Sequence, residues 1–534
     1  MPPALLRRYL PLLILLLALA LRLWGIGWGL PDEHHAFSYH PDESMVVGYA
    51  ALKPSQNFLD TGFYNYGSLV TLTDRFLLLA TGGSTGIPTA SNLLVARLVT
   101  VLYGVGTCAL LILLGKRQGR AGVGLSAATL YAIAPLAVQH GHFATVDVPA
   151  TFWVTVSLLF ALTLRSPLPV TQSTTREGEG ELRRLFFCGL FAGLAAATKY
   201  NAGLVLLAGV AAWGLSGRSR PSVLSLGLLV GGAALGFLLG CPGVLINFPK
   251  FWSDFTFELE HSRRTEEYFV GGISGFLYWP FFGLAFALGP GLSLMAQACG
   301  IGIALKQRTP SQCTLLAFIL PSLLLICLSA NQYLRYCLPL LPALCYLLAS
   351  LFAPGENRLF DGLLSFCALV SLVCSVALCS VMAGPDPRDE AAVFLKQKGV
   401  ASVGFARGPW FWSPPLDPGI SHPAPPLAKR AADASEKLRL FAVPEGRDWD
   451  ASLLDETQPD SVTLSEFEYT AALRTKNPQA LSYLAALTAH YPIKTVFAHP
   501  LPLLGAHESS GLPCQPLPID MLYPNQSVVV FTKE

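Results

Sequence analysis

Two carboxylates stand side by side in His40-Pro41-Asp42-Glu43, directly after the first hydrophobic run of the chain. Charge is costly to keep beside lipid, so acids retained at such a place point to function. Pro41 disfavours helix at His40. Asp42-Glu43-Ser44 then suits the first turn of a short helix running to about Lys53. The helix dipole favours acids there and keeps them ionised. An ionised, fixed Asp can take a proton from a hydroxyl or an amine. Read alone, the same pair is also an ordinary helix start on a solvated loop.

The rest of the chain adds to the first reading. Asp147, Lys199 and Arg335 fall at predicted helix ends, with Arg97 a little deeper in the second span. His140, His142 and Tyr336 lie at the same level. Acids and bases gathered on one side of a membrane predict one polar cavity opening to that side. Its basic members could hold a phosphate or diphosphate, and its acids could handle a nucleophile's proton. Arg97 serves equally well as a structural partner of Asp147 or Asp42; for Arg335 an interface anchor is the lesser alternative. His34, His35, His40, Asp42 and Glu43 are metal ligands by type, but their spacing matches no defined motif. No cofactor is therefore expected, with a divalent metal as the lesser alternative.

These residues need a membrane scaffold to gather them. Hydrophobic residues make up 52% of the 534 and charged residues 13%, against about 25% in a soluble domain. The chain reads as a polytopic membrane protein. A net charge of +2 gives no sign of a nucleic-acid partner. Of the 12 cysteines only Cys514 lies outside the hydrophobic part, so they read as small apolar packing residues. No Gly-rich phosphate loop occurs, which argues against a soluble nucleotide-sugar donor.

Arg7-Arg8 before the run Tyr9–Trp28 place the N-terminus inside. About eleven spans follow: 9–28, 92–114, 121–138, 150–164, two short helices within 185–217, 223–239, 275–303, 315–330, 337–352 and 363–382. The pair within 185–217 is broken at Thr198-Lys199-Tyr200-Asn201. This count puts loops 30–90 and 241–274 outside, together with residues 384–534. The segment Phe251–Arg264 suits a helix lying in the interface. The stretch ending at Ala80 is interrupted by Asp74 and Arg75 and is expected to lie along the membrane surface or to dip into it. From Gly384 the sequence turns polar. Strands are predicted near 401–406, 438–443, 460–466, 493–498 and 527–532, with helices at 388–398 and 478–490. That alternation predicts a small α/β domain. Pro409–Pro426 is expected as a surface loop.

Several short motifs occur in a defined order: Asp42-Glu43, Tyr66-Gly-Ser-Leu69, Ala96-Arg97-Leu98, Asp147-Val-Pro149, Thr198-Lys199-Tyr200-Asn201, and Arg335-Tyr336 before Leu338-Pro-Leu-Leu-Pro342. The ordered set resembles the GT-C membrane glycosyltransferases related to protein O-mannosyltransferases and lipid A aminoarabinose transferase, over roughly residues 1–350. The resemblance implies a polyprenyl-phosphate-linked sugar donor and inverting transfer on the outer face of the plasma or inner membrane. It implies Asp42 as the catalytic acidic residue with Glu43 beside it, and Asp147 as the acid of the second outer loop. Lys199, Arg335, Tyr336 and Arg97 fall to the donor phosphate, and Tyr66 and His142 to acceptor or sugar. No β-trefoil insert occurs in 241–274, which favours a prokaryotic relative whose acceptor, a lipid, glycan or protein, stays open. The alternative is a non-catalytic transporter or flippase of lipid-linked sugars. It predicts internal repeats and mid-membrane charges, and neither is evident.

Overall fold

The computed structural model describes residues 3–533 apart from 33–34, 36, 53–56, 83–87, 165–173, 216–221, 352–357, 417–437, 442 and 502–506. His34 and Lys53, used in the sequence reading, lie outside the described residues, as do Arg165, Arg218 and Arg220 and the second half of the Pro-rich stretch.

Helices dominate. The first is α1 (Pro3–Leu23), followed by α2 (Pro41–Ala51) and α3 (Leu69–Ala80) in the first long loop, and then α4 (Ala90–Arg117). At 28 residues α4 is about 42 Å long, more than the hydrocarbon core requires. Lys116 and Arg117 sit in its last turn, where the helix dipole favours cations. Next come α5 (Ala121–Ala132) and α6 (Pro135–Gln139), bent by 67° at their junction. Pro135 has no N–H to continue the α5 ladder, which accounts for the bend. α7 (Asp147–Leu162), α8 (Thr174–Thr198), α9 (Leu206–Gly214) and α10 (Val223–Gly240) complete this half.

Among the described residues four helices are long and apolar enough to cross a membrane, or five with the bent pair counted as one span. By that measure the expected eleven are not reached. Several predicted spans are helical but short or broken. Residues 275–303, expected as one span, break at Gly289. Its φ of +94° suits only glycine, and Pro290 follows it.

α8 and α10 pack backbone to backbone. Gly189 and Gly193 of α8, and Gly232 and Gly236 of α10, face the partner helix so closely that an added Cβ would lie 1.9–2.4 Å from a backbone oxygen. Small residues four apart allow such approach in an apolar medium. Because the obstacle is backbone, Gly236→Ala is expected to lower stability by about 1–3 kcal/mol. Thermal unfolding in detergent reads this directly, and Gly227→Ala, where the added Cβ meets nothing, is the control.

Helix Phe248–His261 lies in the predicted interfacial segment. It buries Phe251 and Asp254 and leaves Phe248, Trp252 and Phe257 more than half exposed. In α3 the interrupting charges face inward. Arg75 donates to the carbonyls of Tyr49, Phe58 and Asp60 at 2.8–2.9 Å, tying down the loop between α2 and α3.

The C-terminal region holds a five-stranded sheet in the order β2-β1-β3-β7-β4. The strands are β1 (Ser402–Phe405), β2 (Arg439–Phe441), β3 (Ser461–Ser465), β4 (Ile493–Phe497) and β7 (Val528–Thr532). β1 runs parallel to β2 and β3, whereas β7 is antiparallel to β3 and β4. All five strands lie within the expected segments, and both expected helices form. The hairpin β5 (His507–Ser509) and β6 (Leu512–Cys514) and helix Glu466–Thr475 were not foreseen.

This region docks on the first loop through a buried node. Arg388 donates to both Asp386 oxygens at 2.6 and 2.7 Å and lies 3.7 Å over the Tyr39 ring. The indole of Trp28 donates to Asp386 at 3.0 Å. Trp410-Phe411-Trp412 fills the space beside it. Phe411 lies 4.9 Å from Phe467 and 5.7 Å from Tyr523, between ring centres. The described half of the Pro-rich stretch is therefore buried from Phe411 to Leu416 and not a surface loop. Three consecutive aromatics supply the apolar area that buries it.

Candidate functional site

Each candidate side chain is placed by a helix end. His40 is extended (φ −92°, ψ 113°) and Pro41 opens α2, so Asp42 and Glu43 occupy its first turn. Asp147 opens α7. Lys199 is an extended residue (φ −152°, ψ 121°) between α8 and the next helical turn, the break expected there. Arg335 and Tyr336 lie in the 3-10 turn Leu334–Leu340, before helix Leu341–Ser350.

Two charge pairs form the centre. Lys199 Nζ donates to Asp147 Oδ1 at 2.6 Å and lies 5.0 Å from the centre of the Tyr336 ring. Arg335 Nη2 is 3.4 Å from Asp42 Oδ2, and the guanidinium rests 3.9 Å over Tyr333. Lys199, Arg335 and Asp42 all act on Glu258, from the helix Phe248–His261. Burial raises its pKa, and His261, Lys199 and Arg335 counter that. The Tyr66 phenol lies beside Asp42, whose charge, with burial, holds its pKa well above the ordinary value. Asp42, Asp147, Lys199, Arg335, Tyr336 and Tyr66 are thus brought together.

Glu43 and its expected partners are arranged otherwise. It is fully buried and turned away from Asp42's direction, toward Arg97. Arg97 Nε and Nη2 donate to its two oxygens at 2.8 and 2.7 Å. Ala144 N donates at 2.6 Å, and the Ser38 hydroxyl also donates to it. Burial opposes Glu43's ionisation, and Arg97 more than offsets this, so its pKa stays below the ordinary range. Arg97 Nη1 is occupied by the carbonyls of Ile26 and Trp28, both at 2.7 Å. The remaining Nη2 hydrogen faces the Ser38 hydroxyl at 3.5 Å, and the whole side chain is out of solvent, so this guanidinium is not free to meet a phosphate. Glu43–Arg97 is therefore a structural pair that ties α2 to α4, and this corrects both residues' expected roles. His142 is corrected likewise. Both its ring nitrogens face backbone carbonyls, of Val138 at 2.8 Å and Trp24 at 2.9 Å, in a buried position.

Exposure separates the acids. The Asp42 side chain keeps 20% of its surface open, against 2% for Asp147 and none for Glu43. Asp42 is thus the carboxylate of the three best able to meet a substrate. His40 and His140 are fully buried beside it, with no hydrogen-bond partner for their ring nitrogens among the described residues. Among the described residues no group of three or more His, Cys, Asp or Glu is arranged to hold a metal ion.

Sequence reasoning missed two members. Asp520 and Tyr523 come from the C-terminal region, in and after the short helix Ile519–Leu522. Asp520 Oδ2 accepts from Arg335 N at 3.1 Å and is 3.6 Å from its Nη1. Arg335 Nη1 donates to Tyr523 Oη at 3.4 Å. The only signal was an acid and a tyrosine inside the hydrophobic run Leu517–Tyr523.

Residues 83–246 match the dolichyl-phosphate-mannose-protein mannosyltransferase family. The matched segment contains Arg97, Asp147 and Lys199. No curated protein matches the sequence. Among solved structures, ArnT from Cupriavidus metallidurans in the apo state is similar at 15% identity and a TM-score of 0.49, covering 97% of each chain. Archaeal oligosaccharyltransferase AglB from Archaeoglobus fulgidus, in complex with an inhibitory peptide and a dolichol-phosphate, shares 12% identity at a TM-score of 0.48. That match covers 96% of this chain and 75% of that one. The protein O-mannosyltransferase Pmt1-Pmt2 complex of S. cerevisiae, bound to the sugar donor, shares 16% identity at a TM-score of 0.34. It covers 46% of this chain and 34% of that one.

Proposed function

We propose that this chain is a membrane glycosyltransferase that moves a sugar from a polyprenyl-phosphate donor to an acceptor at the extracytoplasmic face, with inversion. The observation that carries the reading is the convergence of one partly open carboxylate, Asp42, with two cations, Lys199 and Arg335, from helix ends far apart in sequence. The family match over residues 83–246 supports it. Asp42 takes the proton of the acceptor nucleophile as that atom bonds to the anomeric carbon. The bond from that carbon to the phosphate oxygen breaks on the opposite face. Lys199 and Arg335 receive the charge that grows on the departing lipid phosphate. Asp147 holds Lys199, and Tyr66 and Tyr336 wall the space. The N-terminus is then cytoplasmic and the α/β region extracytoplasmic, in the plasma or inner membrane.

The test is mass spectrometry of glycans and glycolipids from a strain lacking the protein, complemented with the parent or with Asp42→Asn. A sugar-bearing product that returns only with the parent supports the reading. Identical profiles in all three strains would overturn it.

The cations give a separate expectation. Lys199→Met and Arg335→Met should each weaken use of the donor by about 10–1000-fold, the scale of a charge-assisted phosphate contact. Donor titrations of the purified variants measure it. Unchanged donor kinetics in both would move the phosphate elsewhere.

A further inference from the structure

Neither cation of the site is idle without a ligand. Lys199 is held by Asp147, and Arg335 lies between two carboxylates, Asp42 at 3.4 Å and Asp520 at 3.6 Å. An incoming phosphate must compete for Arg335 with both. Asp42 has a part in the chemistry; Asp520 has none so far. It comes from a different region of the chain and is fully buried. Its placement is firm. Its own carbonyl accepts from Gln139 Nε2 at 2.7 Å, its Oδ2 accepts the Arg335 N–H, and His140 Nε2 stands 3.9 Å away. Its Oδ1 has no hydrogen-bond partner among the described residues.

We propose that Asp520, supplied by the C-terminal α/β region, is a positioning residue that competes with the lipid phosphate for Arg335 and so limits how tightly that phosphate is held. The inference rests on the reading of Arg335 as a donor-phosphate ligand. The chemistry of the transfer explains the need for a competitor. The donor is a phosphodiester with one negative charge. The product is a phosphate monoester that carries close to two at neutral pH, since its second ionisation lies near 6. Two cations in a partly buried site grip the product harder than the donor, and release then limits turnover. An anionic group beside Arg335 offsets that difference.

The surroundings of Asp520 decide when it competes. Facing it are Arg335 from the turn Leu334–Leu340, His140 after α6, Asp147 at the start of α7 and Asp42 at the start of α2. Tyr278, Tyr336 and Tyr523 stand around it as neutral phenols. Burial raises its pKa, Arg335 pulls it down, and the acids Asp147 and Asp42 push it up again, leaving it at about 6. Above that pH Asp520 is charged and competes. As pH falls through it, Asp520 takes a proton, Arg335 loses a competitor and an anion binds more tightly.

The test uses direct binding of undecaprenyl methyl phosphate to the purified full chain in nanodiscs. This diester keeps one charge throughout, so only the protein titrates. In the parent, affinity should rise about 10-fold from pH 7.5 to pH 5, the effect of one nearby charge. In Asp520→Asn, which keeps an acceptor for the Arg335 N–H, affinity should equal the parent's low-pH value at every pH. Asp520→Ser provides the same comparison with a smaller side chain. Glu258→Gln should keep the slope. A flat parent profile, a slope that persists without the Asp520 carboxylate, or one lost in Glu258→Gln would overturn the inference. Absence of binding in the parent at every pH, or full affinity in Arg335→Met, would instead overturn the donor-phosphate reading.

Discussion

Asp42→Asn should lower turnover by about 100-fold or more, the usual share of a general base, while binding of the lipid donor is kept or strengthened, since Arg335 loses one of its two competitors. The substitution preserves size and most hydrogen bonding but removes the basic oxygen pair. Asp42 is the more open carboxylate of its pair and faces Arg335, the cation assigned to the departing phosphate. The base and the cation for the departing phosphate therefore line one cavity, and in-line displacement requires the sugar carbon to lie between the acceptor at Asp42 and that phosphate. Asp32→Asn is the matched control. Asp32 also sits in a Pro-Asp-Glu context, but it is exposed, does not open a helix, and lies near His35. It should change turnover little. Single-turnover rates for both variants, with a product identified by the complementation experiment, measure this. Near-normal turnover in Asp42→Asn with loss in Asp32→Asn would show that the wrong acid has been chosen. Activity in both would remove the base from this loop.

The second large effect falls on the adjacent residue and is of another kind. Glu43→Gln should cost about 3–5 kcal/mol of stability, because it leaves the buried Arg97 guanidinium without its counter-ion. Turnover per folded molecule should stay close to the parent's. The pair lies wholly out of solvent. Glu43→Gln combined with Arg97→Met should cost less than the two singles added together, since both remove the same contact. The pH dependence follows from the lowered pKa of Glu43. A carboxyl depressed on folding contributes stability that is fully present above its unfolded pKa of about 4.3. That contribution is lost as the pH falls through the lower, folded value. Thermal unfolding in detergent at neutral and acidic pH measures both points. A Glu43→Gln protein of parental stability but without turnover would return Glu43 to the catalytic set.

The divergence of Asp42 and Glu43 has a simple cause. Successive residues on a helix point about 100° apart, so two adjacent acids in a first turn cannot share one partner. Sequence alone identified them as a pair worth attention. It could not say that one faces the cavity and the other the interior, because that depends on where α4 and the α6–α7 turn pass.

Local features were legible in the sequence because local chemistry sets them. Pro41 fixed the start of α2, and Lys199 marked the interruption between α8 and the next helix. The alternation of short apolar runs located β1, β2, β3, β4 and β7. Composition and charge placed the chain in a membrane. The number of crossing helices was less legible, since Gly289-Pro290 and Pro135 break apolar stretches whose hydropathy is continuous. The long-range partners were not legible at all. Asp520 meets Arg335 across 185 residues, and no periodicity or spacing carries such a pairing. Trp410-Phe411-Trp412 looked like part of a Pro-rich loop until the apolar surface it covers was in place. The sequence thus determined which residues could do chemistry and which helix ends carry them. Only the tertiary structure decided which charges meet, because a buried charge is stable only beside a partner that the rest of the fold brings to it.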